Sequence, residues 1–192
     1  MSKQAKTLTQ LELRRVLDHI ATRPHASRNR LMCLITHYAG LRVAETASLS
    51  FADVIDINQE VRSEIRLQPS QTKGGVARTV FVNEKLKKEI QAYIKQNPIK
   101  NHSDKLFYTQ KKHNQGFSAN TMTQYFHYLY RNAGIEGASS HSGRRSFITN
   151  LASCGVSVRV LMSLAGHKNI STTQAYIDIN DDMKRKAVEL LT

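Results

Sequence analysis

Leu164-Ala165-Gly166-His167-Lys168-Asn169-Ile170-Ser171-Thr172-Thr173-Gln174-Ala175-Tyr176 is the stretch that decides how this 192-residue chain is read. Two helical segments, about 157–165 and 171–177, flank a turn that contains Gly166. His167 stands in that turn and Tyr176 follows nine residues on, in the frame Gly-His-x-x-x-x-Thr-Thr-x-x-Tyr. Tyrosine is most often a packing residue, and this chain has seven. Tyr125, Tyr128 and Tyr130 cluster on one helix and read as core or groove-lining. Tyr176 differs from them by the frame ahead of it.

Three further motifs lie upstream. In His141-Ser142-Gly143-Arg144 an imidazole precedes a guanidinium by three residues, so one helical turn points both at one place. Thr72-Lys73-Gly74-Gly75 reads as a hairpin tip whose glycines let it reach outward. Gly40-Leu41-Arg42-Val43-Ala44-Glu45 sets Arg42 at a helix start, where backbone N–H groups favour an anion. Glu45 lies three residues further on and can orient Arg42. Each motif alone is common: R-x-x-E occurs on many helices, and a turn lysine is ordinarily solvated.

The charge balance narrows the partner. Lys plus Arg number 28 against 15 Asp plus Glu, a net charge of +13, with pI near 10.0. A field of that size on one domain steers phosphate backbones toward it. No run reaches the length of a transmembrane helix, and Met-Ser-Lys-Gln at the start carries no apolar signal core. The expectation is therefore a cytoplasmic, nucleoid-associated protein with no membrane partner. Cys33 and Cys154 sit in apolar helical stretches and read as buried thiols. No Cys/His spacing suggests a metal.

The chain length suits one core. Residues 1–8 read as a basic flexible tail and 9–192 as one domain. Thr9 and Glu12 form a capping box, and Leu13, Val16, Leu17 and Ile20 then share a face. Further helices are expected over about 27–38, 43–48, 84–96, 119–132, 143–153 and 181–191. Strands are expected near 53–57, 64–68 and 77–82. The expected fold class is mainly α with a small three-stranded antiparallel sheet.

Taken in order and spacing, Arg42, Lys73, His141, Arg144, His167 and Tyr176 resemble the active site of the tyrosine recombinases, the phage integrase family. The resemblance covers nearly the whole chain from Thr9. It implies a DNA strand transferase that works through a covalent 3′-phosphotyrosine and a free 5′-hydroxyl, with no cofactor and no metal. In that scheme Tyr176 is the nucleophile, and Arg42 and Arg144 clamp the phosphate with planar forks. His141 is the base or an oxygen ligand, His167 donates to a non-bridging oxygen, and Lys73 is the general acid, with Glu45 in support. Arg42, Lys73, Arg144, Arg145 and Lys168 are the expected DNA contacts. The implied partners are double-stranded DNA, further copies of the chain at synapsis, and accessory DNA-bending proteins.

The chain departs from the family pattern in two places. Gly143 stands where an apolar residue usually precedes the second arginine, at a local helix cost of about 1 kcal/mol, and Arg145 stands where His is common. Typical members also carry a separate helical domain that closes around DNA. Residues 1–30, with seven Lys or Arg against two Asp or Glu, are a candidate basic arm in its place. Two other outcomes stay open. One is a nick-and-reseal topoisomerase activity. The other is a DNA-binding regulator using 156–177 as a helix-turn-helix.

Overall fold

The protein is described here from a computed structural model over residues 4–99, 101–109, 115–177, 184–185 and 188–189. Nine α-helices are defined among them: α1 Gln10–Ala21, α2 Ala26–Tyr38, α3 Val43–Ser48, α4 Phe51–Val54, α5 Glu84–Gln96, α6 Ala119–Asn132, α7 Ser142–Ser153, α8 Val158–Ala165 and α9 Ile170–Gln174. The expected helix over 181–191 lies mostly outside the described residues. Thr9 and Glu12 make the capping box as read, with Glu12 N–H donating to Thr9 Oγ1 and Thr9 N–H to Glu12 Oε2.

Helix α2 is the central rod. Leu31, Met32, Leu34 and Ile35 are buried, and the helix packs against α1, α3, α5 and α7. Two strands, β1 Glu64–Leu67 and β2 Arg78–Phe81, form an antiparallel hairpin with Ile65 opposite Val80 and Leu67 opposite Arg78. The expected third strand at 53–57 is not there, so the sheet has two strands. Ser50-Phe51-Ala52-Asp53 is a second capping sequence: Ser50 N–H and Oγ both donate to Asp53 Oδ2 at 2.8 Å. That closes a helical turn, and only an isolated bridge between Ile55 and Val61 remains.

Residues 4–8, read as part of a flexible tail, run inward. Leu8 is buried and donates its N–H to Ser146 Oγ on α7, while Lys6 N–H donates to the Gly137 carbonyl. Of the cysteines, Cys33 is buried as expected and Cys154, at the end of α7, is exposed. No helix among the described residues is long and apolar enough to cross a membrane.

Gly143 has a packing reason. A Cβ there would lie 2.2 Å from Thr36 Oγ1 and 3.2 Å from the Thr36 backbone carbon, so the glycine lets α7 close onto α2. Gly143→Ala gains about 1 kcal/mol of helix propensity and loses about 1–3 kcal/mol to overpacking. The expected net is a lower melting temperature, read by thermal denaturation. An unchanged or raised melting temperature would mean that the α2–α7 contact is looser than described.

Candidate active site

The site begins with a carboxylate. Glu45, on α3, is fully buried. Its Oε2 accepts from the Arg42 N–H at 2.8 Å and pairs with Arg78 Nη2 at 2.6 Å. Its Oε1 pairs with Arg42 Nη1 at 2.8 Å and takes Arg78 Nε at 3.3 Å. Burial alone would push the carboxyl group up, but Arg78 and then Arg42 outweigh it and hold its pKa below the ordinary value. Glu45 thus stays ionised and orients two guanidinium groups at once.

Arg78 was not singled out from the sequence. Strand alternation offered a signal, because Arg78 falls on the same side of β2 as buried Val80. An arginine on an inward face needs an anion. From there Arg78 also donates to the Leu164 carbonyl at 2.9 Å, tying the hairpin to the end of α8. Gly166 ends α8 in the left-handed conformation, with φ of 61°. A Cβ at that position would lie 2.7 Å from Arg78 Cδ.

Helix α7 delivers the second arginine. Arg144 is buried and donates to the carbonyls of Gly40, at 2.7 Å, and of Ala165. Burial, then the charge of Arg42, lowers its pKa to about 9, so it remains charged at neutral pH. Arg42 Nη2 donates to the next carbonyl, Gly166, at 3.1 Å. The two arginines therefore converge on the turn after α8. His141 caps α7 from an exposed position. Desolvation first, then the charges of Arg144, Lys73 and Arg42, lower its pKa. Lys73 is exposed at the hairpin tip, within electrostatic reach of His141.

The turn after α8 carries the rest. His167 Nδ1 lies 2.9 Å from Thr173 Oγ1. Its ring stacks on Tyr176 with centroids 5.8 Å apart and planes inclined by 21°. Desolvation, then Arg144, Arg42 and Arg78, lowers its pKa to about 4. Lys168 is exposed and donates to the Gly74 carbonyl at 3.3 Å, spanning the mouth of a cleft of about 810 Å3 lined by Arg42, Lys73, Arg78 and His167 among others. Tyr176 is held at its backbone, where its carbonyl accepts from Thr149 Oγ1 at 3.1 Å. All six expected site residues thus come to one region. Arg145, expected on DNA, turns inward instead: it is 9% exposed, with Cζ 5.3 Å from the Tyr176 ring centroid.

The model of the phage integrase family matches residues 6–183. The chain belongs to that family. It is 33% identical over 188 residues to tyrosine recombinase XerA of Thermococcus kodakarensis, covering 96% of this chain and 62% of that protein. It is 31% identical to the XerA of Pyrococcus furiosus, covering 96% of this chain and 61% of that protein. It thus spans about three-fifths of these curated relatives. Among solved structures, XerA recombinase superposes with a TM-score of 0.75 at 25% identity, over 97% of this chain and 65% of that one. The catalytic domain of bacteriophage HP1 integrase shares the fold, with a TM-score of 0.64 at 20% identity over 90% and 87%.

Two outcomes test this electrostatic arrangement. Arg78→Met leaves the buried Glu45 with one partner instead of two and is expected to cost about 3 kcal/mol. Adding Glu45→Gln should recover 1 kcal/mol or more of the summed loss, read by a denaturant double-mutant cycle. Additive costs would mean that the two side chains do not interact. The second outcome concerns acid. The buried His37, whose Nδ1 has no partner, is pushed down to about 4 by desolvation, as His167 is by its site. Below about 6.5 the unfolded chain takes up protons that the folded chain refuses. Stability is therefore complete above 6.5 and is lost as pH falls toward 4, by on the order of 3 kcal/mol for His37 alone. Denaturation midpoints across that window should drop, and His37→Leu should flatten part of the drop.

Proposed function

We propose that this chain is the catalytic part of a site-specific DNA recombinase or integrase, of the kind carried by mobile elements, acting through a 3′-phosphotyrosine. The observation that supports the reading most is the convergence of Arg42, Arg144 and His167 on one turn beside Tyr176, with Lys73 across the same cleft. Family membership, the net charge of +13 and relatives named tyrosine recombinase agree with it. The Tn1549 transposon integrase, which has this fold, was solved in complex with circular intermediate DNA.

In this reading the Tyr176 oxygen attacks the scissile phosphorus. The O–P bond to tyrosine forms as the P–O5′ bond breaks, leaving a 3′-phosphotyrosine and a 5′-hydroxyl. The phenol proton passes to His141, and Lys73 protonates the departing oxygen. An unperturbed phenol is ionised at about one part in a thousand at pH 7, a barrier of roughly 4 kcal/mol. Proton removal by His141 meets that cost in the reaction, while Arg42 and Arg144 take up the charge that develops on the non-bridging oxygens. Both arginines keep N–H donors beyond those bound to carbonyls, and these clamp the non-bridging oxygens. In the tautomer whose Nδ1 accepts from the Thr173 hydroxyl, the His167 proton is on Nε2 and available to a non-bridging oxygen. Depressed imidazole pKa values suit these roles, because a neutral His141 can accept a proton at pH 7.

The intermediate keeps roughly the energy of the phosphodiester it replaces, so a second 5′-hydroxyl rejoins the strand without nucleotide or metal. Recombination then joins two DNA sites, which calls for several copies of the chain on DNA, with DNA-bending proteins as accessories.

Incubation with nicked suicide substrates, without metal, should give a denaturation-resistant protein–DNA adduct. Tyr176→Phe should abolish it while DNA binding persists. Lys73→Ala should slow cleavage by about 10²–10⁴-fold. Replacing the bridging 5′ oxygen with sulfur should restore that loss, since a thiolate leaves without a proton. Binding without any adduct, with a native element end as substrate, would sink the reading in favour of a DNA-binding module.

A further inference from the structure

Arg145 and Thr149 are four residues apart on α7 and so share a face. Both reach Tyr176. Thr149 holds its backbone carbonyl, and the Arg145 guanidinium lies over its ring. Arg145 is in turn held from a distant part of the chain. Its Nε donates to Thr7 Oγ1 at 3.1 Å and its Nη1 to Gln4 Oε1. Its hydrogen-bond partners among the described residues, Thr7 and Gln4, are uncharged. Residues 4–8 are anchored around this contact by Leu8 on Ser146, by the Lys6 backbone on Gly137, and by the Lys6–Glu12 ion pair.

We propose that Arg145 is a positioning residue for Tyr176 and that residues 4–7 control it, so that the N-terminal segment sets the poise of the nucleophile. The inference rests on the reading of Tyr176 as that nucleophile. The segment before α1 then acts as a strap over α7 and not as an arm on DNA. With the strap seated, the guanidinium is locked against the ring by two hydrogen bonds and a cation–π contact. With it lifted, the arginine regains its rotamers, and the tyrosine keeps its stack on His167 and its backbone bonds. Any partner or further chain that grips residues 4–8 would thereby act on the active site without touching it.

A merely structural Arg145 would tie down the N-terminus and leave the chemistry alone. Single-turnover cleavage of a suicide substrate at saturating protein separates the two, with DNA affinity and melting temperature measured alongside. Arg145→Ala should slow cleavage by roughly ten- to a hundredfold, the scale on which small misplacements of a reacting group act. DNA affinity should stay within about twofold. The double variant Gln4→Ala, Thr7→Val keeps the arginine and removes its holders, and should slow cleavage by about three- to tenfold. Arg145→Lys keeps the charge and loses the fork, and should fall between wild type and Arg145→Ala. In protein labelled with 3-fluorotyrosine, the Tyr176 resonance, assigned with Tyr176→Phe, should move in both the Arg145→Ala and the double variants.

Adduct formation that survives Tyr176→Phe would overturn the nucleophile reading, and this inference with it. Adduct formation abolished by Tyr176→Phe but unchanged in rate by Arg145→Ala would overturn this inference alone. Should Arg145→Ala fail to fold, the double variant decides: wild-type cleavage with an unmoved Tyr176 resonance overturns the coupling.

Discussion

The buried Glu45 carboxylate is the constraint on which the site depends. A lone ionised carboxylate in that position would be prohibitively costly. It is tolerated because Arg42 and Arg78 approach it from a helix start and from a strand. Arg42 keeps charge and donors to spare while its head is fixed. Arg78 closes the hairpin over the α8 end by bonding to the Leu164 carbonyl. One anion thereby sets the relative position of three elements and, through the hairpin, the place of Lys73 at its tip.

Around that anchor the site is built cationic. Arg144 is shielded from water, with its donors on main-chain carbonyls. These hold the guanidinium without cancelling its charge, as a second carboxylate would. The same field explains the two histidines. Loss of water, and then the neighbouring positive charges, keep His141 and His167 neutral at ordinary pH, and a neutral imidazole can accept as well as donate. A site that is net positive until an anion arrives is complementary to a phosphate whose charge grows in the transition state.

Much of this was legible in the chain. Helices α2, α5 and α6 appear within a residue or two of their expected bounds; α5 and α6 start on side-chain caps from Asn83 and Ser118, whereas α2 has no such cap and is buried on nearly every side. The third strand failed for a local reason: Ser50 and Asp53 close a capping box that wins over a short apolar alternation. Gly143, read as a weakness of helix α7, is a contact surface, and only the nearness of Thr36 reveals that. Arg78 and Arg145 are both arginines that the fold turns inward. Arginine is normally a surface residue; alternation along β2 hints at an inward Arg78, but the identity of its partner, like the tyrosine ring beside Arg145, is set by distant parts of the chain.

By itself, the sequence determined which residue types are available and in what order: two arginines in helix-start contexts, a lysine between glycines, two histidines and a framed tyrosine. It also determined the helices, since periodicity and capping act over a few residues. The tertiary structure decided which of these groups meet, and which charged side chains turn inward. Glu45 finds Arg78 across 33 positions of chain, and Arg145 finds Gln4 across 141. Contacts at such separations arise from how helices and hairpin pack, and packing is a property of the whole core that no local stretch encodes.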